Sequence, residues 1–122
     1  MQCAEWVRGV PSTFTADSGI CGHKTSITAE KKANYIMGVE MKSTCKIVND
    51  YAALIKEIHM KDIGRVLMNN PIYIKASEAH IHPNCLVPCG VAFATWTEAD
   101  MIARSLLSHH KSQCIVFQRA SP

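Results

Sequence analysis

Residues 20–42 read ICGHKTSITAEKKANYIMGVEMK, and apolar and polar side chains alternate along two runs of this stretch. One face of the first run carries Cys21, His23, Thr25, Ile27 and Ala29, and one face of the second carries Tyr35, Met37, Val39 and Met41. Alternation with a period of two is typical of strands that bury one face. A polar pair, Lys31-Lys32, separates the two runs, so the stretch predicts an antiparallel β-hairpin.

Helical periodicity follows the hairpin. Residues 45–59 are predicted to form a helix with an apolar stripe. The stripe consists of Ile47, Val48, Tyr51, Ala52, Leu54, Ile55 and Ile58. Asn70-Pro71 has the pattern of a helix start and predicts a second helix over 71–79. A third helix is expected over 85–107, and the apolar run in residues 113–118 predicts a short strand.

These elements predict one α+β domain. An antiparallel hairpin, or a three-stranded sheet completed by the C-terminal strand, packs against three or four helices. The chain has 122 residues, which is enough for a single hydrophobic core. Residues 1–19 contain Gly9, Pro11 and Gly19 among serines and threonines, and we expect an irregular N-terminal arm there. The predicted domain therefore covers residues 20–122.

Composition and charge argue against several classes of protein. Hydrophobic residues make up 48% and charged residues 19% of the chain, which is a globular balance. The net charge is only +3 and the 13 basic residues are scattered, so we expect no nucleic-acid partner. No apolar run is long enough to predict a membrane span. The N-terminus lacks the pattern of a signal peptide, and we expect a cytoplasmic protein.

Six cysteines carry the strongest chemical signal. In the cytoplasm, cysteines act as metal ligands, reactive thiols or small buried hydrophobes more often than as disulfides. Closure of the hairpin places Cys21 near Cys45, although 24 residues separate them. Cys45 also lies at or beside the start of the first predicted helix, where unpaired N–H groups and the helix dipole favour a thiolate.

A second signal is the stretch HPNCLVPC, residues 82–89, which leads into the third predicted helix. Asn84 is a favoured N-cap residue, so Cys85 is expected to be the first helical residue. The helix start and a protonated His82 favour a lowered pKa of Cys85, whereas burial against Leu86 or Phe93 would raise it. If the site opens to solvent, we expect the lowering to prevail. Cys89 follows four residues later and would share a helix face with Cys85.

Cys21, Cys45 and Cys85 are therefore predicted to share one thiolate site. With a fourth donor, three thiolates complete a tetrahedral site for zinc or hold an iron–sulfur cluster. The candidates for the fourth donor are His82, His23 and Cys89. The alternative is a set of unconnected cysteines, because free cysteine is often a small buried hydrophobe. Cys114 lies within an apolar run and is expected in the core.

Two functions of other classes stay open at this point. In a thiol-dependent enzyme, His82 or His23 would activate Cys85 or Cys21. In a metal-free interaction module, the helices would contact protein partners. A metal protein holds stoichiometric zinc or iron, whereas a thiol enzyme has one cysteine that is alkylated much faster than the others.

The order of these motifs is similar to that of the iron–sulfur cluster assembly scaffolds, the family of IscU and the N-terminal part of NifU. In that family a Cys-Gly pair precedes a hairpin, and a second and a third cysteine follow at similar intervals. Here Cys21, Cys45 and Cys85 are separated by 24 and 40 residues. The resemblance covers roughly residues 19–108. It implies a three-cysteine site that accepts a cluster or zinc beside a histidine.

The chain departs from that family at several positions. Asn84 stands where the family has a histidine directly before the third cysteine, and His82 lies three residues before Cys85. His23 replaces an acidic residue, and Lys46 replaces a glycine. A partner-binding Leu-Pro-Pro-Val segment is missing. The Cys-Gly and Cys-x-x-Pro elements also resemble those of small uncharacterised prokaryotic domains.

Overall fold

The computed structural model describes residues 11–121. In this part of the chain, a four-stranded antiparallel sheet is combined with four α-helices, which confirms the predicted α+β class. The strands are β1 (Ser12–Ser18), β2 (His23–Lys31), β3 (Ile36–Ser43) and β4 (Glu57–His59). The helices are α1 (Lys46–Leu54), α2 (Pro71–Glu78), α3 (Val87–Glu98) and α4 (Arg104–His109). None of the helices described is long and apolar enough to cross a membrane.

The predicted hairpin consists of strands β2 and β3, which pair in antiparallel register. Thr25 lies opposite Ser43, and Ile27 lies opposite Met41. Ile27, Met41 and Val39 are buried on the same face of the sheet, as the alternation predicts. The hairpin prediction is therefore confirmed, and the register fixes which ends of the two strands meet.

We predicted an irregular arm over residues 1–19. This prediction is wrong for Ser12–Ser18, which form strand β1 and pair with β2. Residues 1–10 lie outside the part of the chain that the structure describes. Ser12 and Ala16 point into the core, and Phe14 is partly buried between them. These core-facing residues are mostly small or polar, so the alternation of β1 is a weak signal in the sequence.

The predicted strand at residues 113–118 is wrong as well. This segment has no regular secondary structure and its side chains are exposed. Cys114 is therefore exposed, although the sequence predicted it in the core. The neighbours of the hairpin in the sheet are instead β1 and β4, in the strand order β1-β2-β3-β4.

The first helix is shorter than the predicted range of residues 45–59. The chain leaves the helix after Leu54, at Ile55, which has φ −122° and ψ 52°. Ile58 then lies in the short strand β4, which pairs with β3. Ile55, Ile58 and Tyr51 are all buried, as the stripe predicts. The apolar spacing continues beyond the end of the helix, so periodicity alone places that end too late.

The predicted helix over residues 85–107 is two helices, α3 and α4. Asp100, with φ 59°, adopts the left-handed conformation just after α3. The N–H of Met101 donates to the carbonyl of Trp96 at 2.9 Å, and the N–H of Asp100 donates to that of Thr97 at 3.1 Å. This pair of bonds is a Schellman motif, which usually has glycine in the left-handed position. An aspartate there gives no stop signal in the sequence.

Helix α2 begins where Asn70-Pro71 predicts. Asn70 Oδ1 accepts a hydrogen bond from the backbone N–H of Ile72 at 2.9 Å. Its Nδ2 donates to the carbonyls of Ile63 and Arg65, each at 3.0 Å. The Asn70 side chain is buried, so these three bonds tie the preceding loop to the start of the helix.

Helix α3 packs across β1 and β2 and covers the core face of the sheet. The helix packs closely on the sheet at Gly90, where an added Cβ would lie 2.5 Å from Cδ1 of Ile27. Further along the helix, Phe93 stacks on Phe14 with ring centroids 6.0 Å apart. This packing fixes the position of the start of α3 relative to the hairpin.

We expect Gly90→Ala to lower the free energy of unfolding by about 1–2 kcal/mol, because overpacking outweighs the gain in helix propensity. Ile27→Val removes the methyl group that the new Cβ would meet. In the Ile27→Val background, Gly90→Ala should therefore be neutral or stabilising. Urea unfolding of the four proteins measures this coupling, and simple additivity would contradict the close packing.

Candidate thiol site

Helix α3 runs along the sheet from one end to the other. Its last turn is held at the start of β1, where Ser12 Oγ donates to Glu98 Oε1 at 2.5 Å. Just beyond, Asp100 forms an ion pair with Lys31 at the end of β2, with an N–O separation of 3.9 Å. From Gly90, which packs against Ile27 in the middle of β2, the start of α3 is therefore directed toward the opposite end of the sheet, where the β1–β2 turn and the end of β3 lie.

Cys21 lies in the turn between β1 and β2. Gly22 adopts a positive φ of 75°, and its N–H donates to the carbonyl of Ser18 at 2.8 Å. Cys21 is exposed, its sulfur lies 3.5 Å from the same carbonyl, and the neighbouring Ile20 is fully exposed. A turn with so few packing contacts is the part of this region that shifts at the least free-energy cost.

Cys45 is the N-cap residue of α1 and is partly buried against the core. Ser43 Oγ organises this helix start, since it accepts from the N–H of Cys45 at 3.1 Å and from Thr25 Oγ1 at 2.8 Å. The Cys45 side chain makes no capping hydrogen bond, so its sulfur stays free for another partner. The predicted position of Cys45 at a helix start is confirmed.

His23, one of the predicted ligand candidates, begins strand β2 and is partly buried. Its Nδ1 lies 2.7 Å from Thr44 Oγ1. This hydrogen bond joins the segment after Cys21 to the residue before Cys45. No sequence pattern marks Thr44 as part of the site, although the register of the hairpin brings residues 23 and 44 close together.

Cys85 lies two residues before α3 and not at its first position. The N-cap is Leu86 and not the predicted Asn84. Asn84 instead lies in a turn that is closed by a 3.0 Å hydrogen bond from the N–H of Cys85 to the carbonyl of His82. Asparagine is favoured in such turns as much as at helix caps. The Cys85 sulfur still accepts a hydrogen bond from the N–H of Val87, the first residue of α3.

The prediction of a lowered pKa for Cys85 is wrong. Burial raises the pKa of the Cys85 thiol above its ordinary value, and this effect exceeds the lowering by the Val87 N–H. Repulsion from the thiolates of Cys21 and Cys45 raises it further. Such charge–charge effects fade over about 8 Å in physiological salt. Cys21 and Cys45 therefore each lie in the neighbourhood of Cys85.

Cys89 and His82 are two of the candidates for the fourth ligand, and their positions relative to Cys85 differ. Cys89 lies on the first turn of α3, where burial raises its pKa, and its thiolate acts on the pKa of Tyr73. His82 is exposed and contacts Cys85 through its backbone carbonyl. Cys21 and Cys45 thus each act electrostatically on Cys85, and the hydrogen bond between His23 and Thr44 joins the segments that carry Cys21 and Cys45.

Tyr51 of α1 lies close enough to Cys85 for the charge of the thiolate to affect its pKa. Its ring is fully buried, and its hydroxyl donates to the carbonyl of Ile72 at 2.8 Å. Burial raises the pKa of Tyr51 far above its ordinary value, and the charges of Tyr73 and Cys85 raise it further. The sequence predicts Tyr51 only as a core residue, because helical spacing carries no information about its interaction with Cys85.

Within residues 11–121, no three His, Cys, Asp or Glu side chains form a group that could hold a metal ion as they are placed. The donor chemistry nevertheless suits a thiophilic ion or cluster, because thiolate and imidazole are the ligands such groups prefer. The open turn that carries Cys21 is the element whose movement would bring the thiols closer together.

In the metal-free protein, we expect Cys85 to react with iodoacetamide more slowly than Cys114 near neutral pH. The raised pKa leaves less thiolate on Cys85, which is partly buried, whereas Cys114 is exposed. As the pH rises through the pKa of Cys85, its thiolate fraction and its labelling rate increase. Peptide mass spectrometry over a pH series measures this, and faster labelling of Cys85 at neutral pH would contradict the expectation.

Residues 12–110 match a family of unknown function, DUF6951, and the chain belongs to this family. The match includes strand β1 and all six candidate thiol and imidazole positions from Cys21 to Cys89. No curated protein and no solved structure matches the chain.

Proposed function

We propose that this member of the DUF6951 family binds a thiophilic metal ion or an iron–sulfur cluster through Cys21, Cys45 and Cys85. One observation carries the proposal: Cys21 and Cys45 are far from Cys85 in the sequence, but the charges of both raise its pKa in the folded protein. A cation between three thiolates would relieve their mutual repulsion. Three thiolates and one further donor make up a common type of zinc site.

The three thiols differ in how firmly the structure holds them, and this difference suggests how such a site would close. Cys45 and Cys85 are packed against the hydrophobic core and give a fixed pair of donors. Cys21 lies on the exposed turn and has room to move. We infer that a bound ion draws the turn toward the other two cysteines.

The resemblance to cluster assembly scaffolds suggests a use for this site. Cys21 precedes a hairpin strand, Cys45 caps the next helix and Cys85 precedes α3, an order that matches the resemblance. We propose a scaffold-like protein that accepts zinc or a cluster and passes it to a protein partner. The cytoplasm is the compartment that suits it, because thiols stay reduced there.

The rival functions have less support. A thiol enzyme needs a cysteine whose thiolate is abundant near neutral pH, whereas burial and repulsion raise the pKa of Cys85. A metal-free interaction module gives no reason for the charges of Cys21 and Cys45 to act on Cys85. Metal binding accounts for both features, because the ion would replace the protons on the thiols.

Anaerobic purification of the full chain, followed by elemental analysis and native mass spectrometry, tests the proposal. We expect one zinc ion per chain, or iron with matching sulfide. The triple change Cys21→Ser, Cys45→Ser and Cys85→Ser should abolish the bound metal, and Cys114→Ser should not. A wild-type protein that neither carries metal nor takes up added zinc would overturn the proposal.

A further inference from the structure

We propose that His23 is the fourth ligand of this site and that Thr44 positions its ring, so that the donors are three thiolates and one imidazole. This inference rests on the proposed metal site and goes beyond it by naming the nitrogen donor. Three cysteines and one histidine form an established tetrahedral set for a single zinc ion. The inference therefore also names the type of ion.

The first support is the position of His23. It lies two residues after Cys21, on the face of β2 that also carries the buried Thr25 and Ile27. Its Nδ1 is 2.7 Å from Thr44 Oγ1, directly before Cys45. The ring is therefore held across the end of the hairpin, between the segments that carry two of the three thiols.

The second support is the nitrogen that the Thr44 bond leaves open. Among the described residues, the bond to Thr44 is the only hydrogen bond of the His23 ring, so Nε2 has no partner. A metal-bound histidine usually donates its other ring N–H to an oxygen acceptor, which fixes its tautomer and orientation. With an ion on Nε2, Nδ1 would carry the proton and donate it to Thr44 Oγ1.

The other two candidates lack such an arrangement. The imidazole of His82 is exposed, and the contact of this residue with Cys85 is made by its backbone. Cys89 lies within helix α3, where its thiolate acts on Tyr73 of α2. In the part of the chain that the structure describes, neither side chain is tied by a hydrogen bond to a segment that carries another thiol.

Cobalt(II) substitution of the full chain, under anaerobic conditions, tests the inference. The intensity of the thiolate-to-cobalt absorption counts the sulfur ligands, and the ligand-field bands distinguish a nitrogen from a fourth sulfur. We expect a spectrum with three sulfurs and one nitrogen for the wild type. His23→Ala should shift the ligand-field bands and weaken cobalt binding by at least about 100-fold, since a direct ligand costs more than its outer partner.

The positioning role of Thr44 has its own pair of variants. Thr44→Val keeps the shape of the side chain and removes the hydroxyl, and it should weaken cobalt binding by about 10- to 100-fold without loss of a sulfur band. Thr44→Ser keeps the hydroxyl and should bind as the wild type does. His82→Ala and Cys89→Ser are matched controls that should leave both the spectrum and the affinity unchanged.

The outcomes separate this inference from the proposed function. If the wild type binds cobalt through three thiolates but His23→Ala leaves its spectrum and affinity unchanged, the inference fails and the three-thiol site stands. A loss of the nitrogen or of a sulfur signal in His82→Ala or Cys89→Ser would also overturn it. If the wild type shows no thiolate-to-cobalt absorption, the proposed function fails and the inference fails with it. Thermal unfolding of each metal-free variant confirms that it is folded.

Discussion

Cys85→Ser is expected to weaken zinc binding by at least about 100-fold, beyond the loss of about 10- to 100-fold for an outer-shell partner. Serine has nearly the same shape, but its hydroxyl does not supply the anionic sulfur that zinc prefers. Cys85 is the most informative of the three cysteines because its pKa responds to both Cys21 and Cys45. Competition with a chromophoric chelator measures the change.

Cys114→Ser is the matched control for this prediction. It makes the same chemical change at an exposed position in the C-terminal segment, and zinc affinity should not change. Thermal unfolding without metal shows whether either variant is misfolded. Equal zinc affinity of Cys85→Ser and the wild type would remove Cys85 from the proposed ligand set.

Asn70→Asp is expected to lower the free energy of unfolding by about 3 kcal/mol or more near neutral pH. The new carboxylate would keep the hydrogen bond from the N–H of Ile72 but lose the two that Nδ2 donates to Ile63 and Arg65. Leaving buried carbonyls without donors costs about 1–3 kcal/mol each, and a buried charge beside them costs more. Asn69→Asp makes the same change at an exposed neighbour and should cost little.

The pH dependence of the Asn70→Asp variant gives a second test. A protonated carboxyl group can donate to one of the two carbonyls, whereas the charged form is repelled by both, so its pKa in the folded protein should be raised. The stability is then retained below the unfolded pKa of about 4 and lost as the pH rises through the folded pKa. Urea unfolding at several pH values measures this. A variant that is no less stable at pH 7 than at pH 4, relative to the wild type, would contradict the bonding scheme.

The hairpin and the start of α2 could be predicted because the responsible interactions are local. Alternation in β2 and β3 reflects burial of one face of each strand, and Asn70-Pro71 encodes a cap within three residues. The end of α1 could not be predicted from the same kind of pattern. Ile55 and Ile58 are both buried, but the second reaches the core from a strand that pairs with β3.

For the remaining segments, the tertiary structure determines which of them pair with the sheet. The polar strand β1 forms because the edge of β2 and the face of α3 are available to it. The more apolar segment at 113–118 stays outside the sheet, and β1 and β4 take the two places beside the hairpin. A sequence pattern describes how suitable each segment is for a strand, but it does not show which segment pairs with a given edge.

For the candidate site, too, some features could be predicted from the sequence and others could not. Hairpin closure and two helix starts predict that Cys21, Cys45 and Cys85 share one site, and this stays a prediction, because the described residues contain no group of three such side chains that could hold a metal ion as placed. The sign of the pKa shift at Cys85 depends on burial and on the other thiolates, which spacing does not reveal. The link between His23 and Thr44 likewise depends on the register of the strands and appears only in three dimensions.

Zinc-edge X-ray absorption of the zinc-loaded wild-type protein tests the central claim most directly, because it counts sulfur atoms in the first coordination shell. Zinc–sulfur bonds are about 2.3 Å and zinc–nitrogen bonds about 2.0–2.1 Å long, so the two ligand types are resolved. The account predicts three sulfur ligands and one nitrogen ligand, with the sulfur count falling by one in Cys85→Ser. A shell of nitrogen and oxygen alone, or a sulfur count that Cys85→Ser does not change, would contradict it.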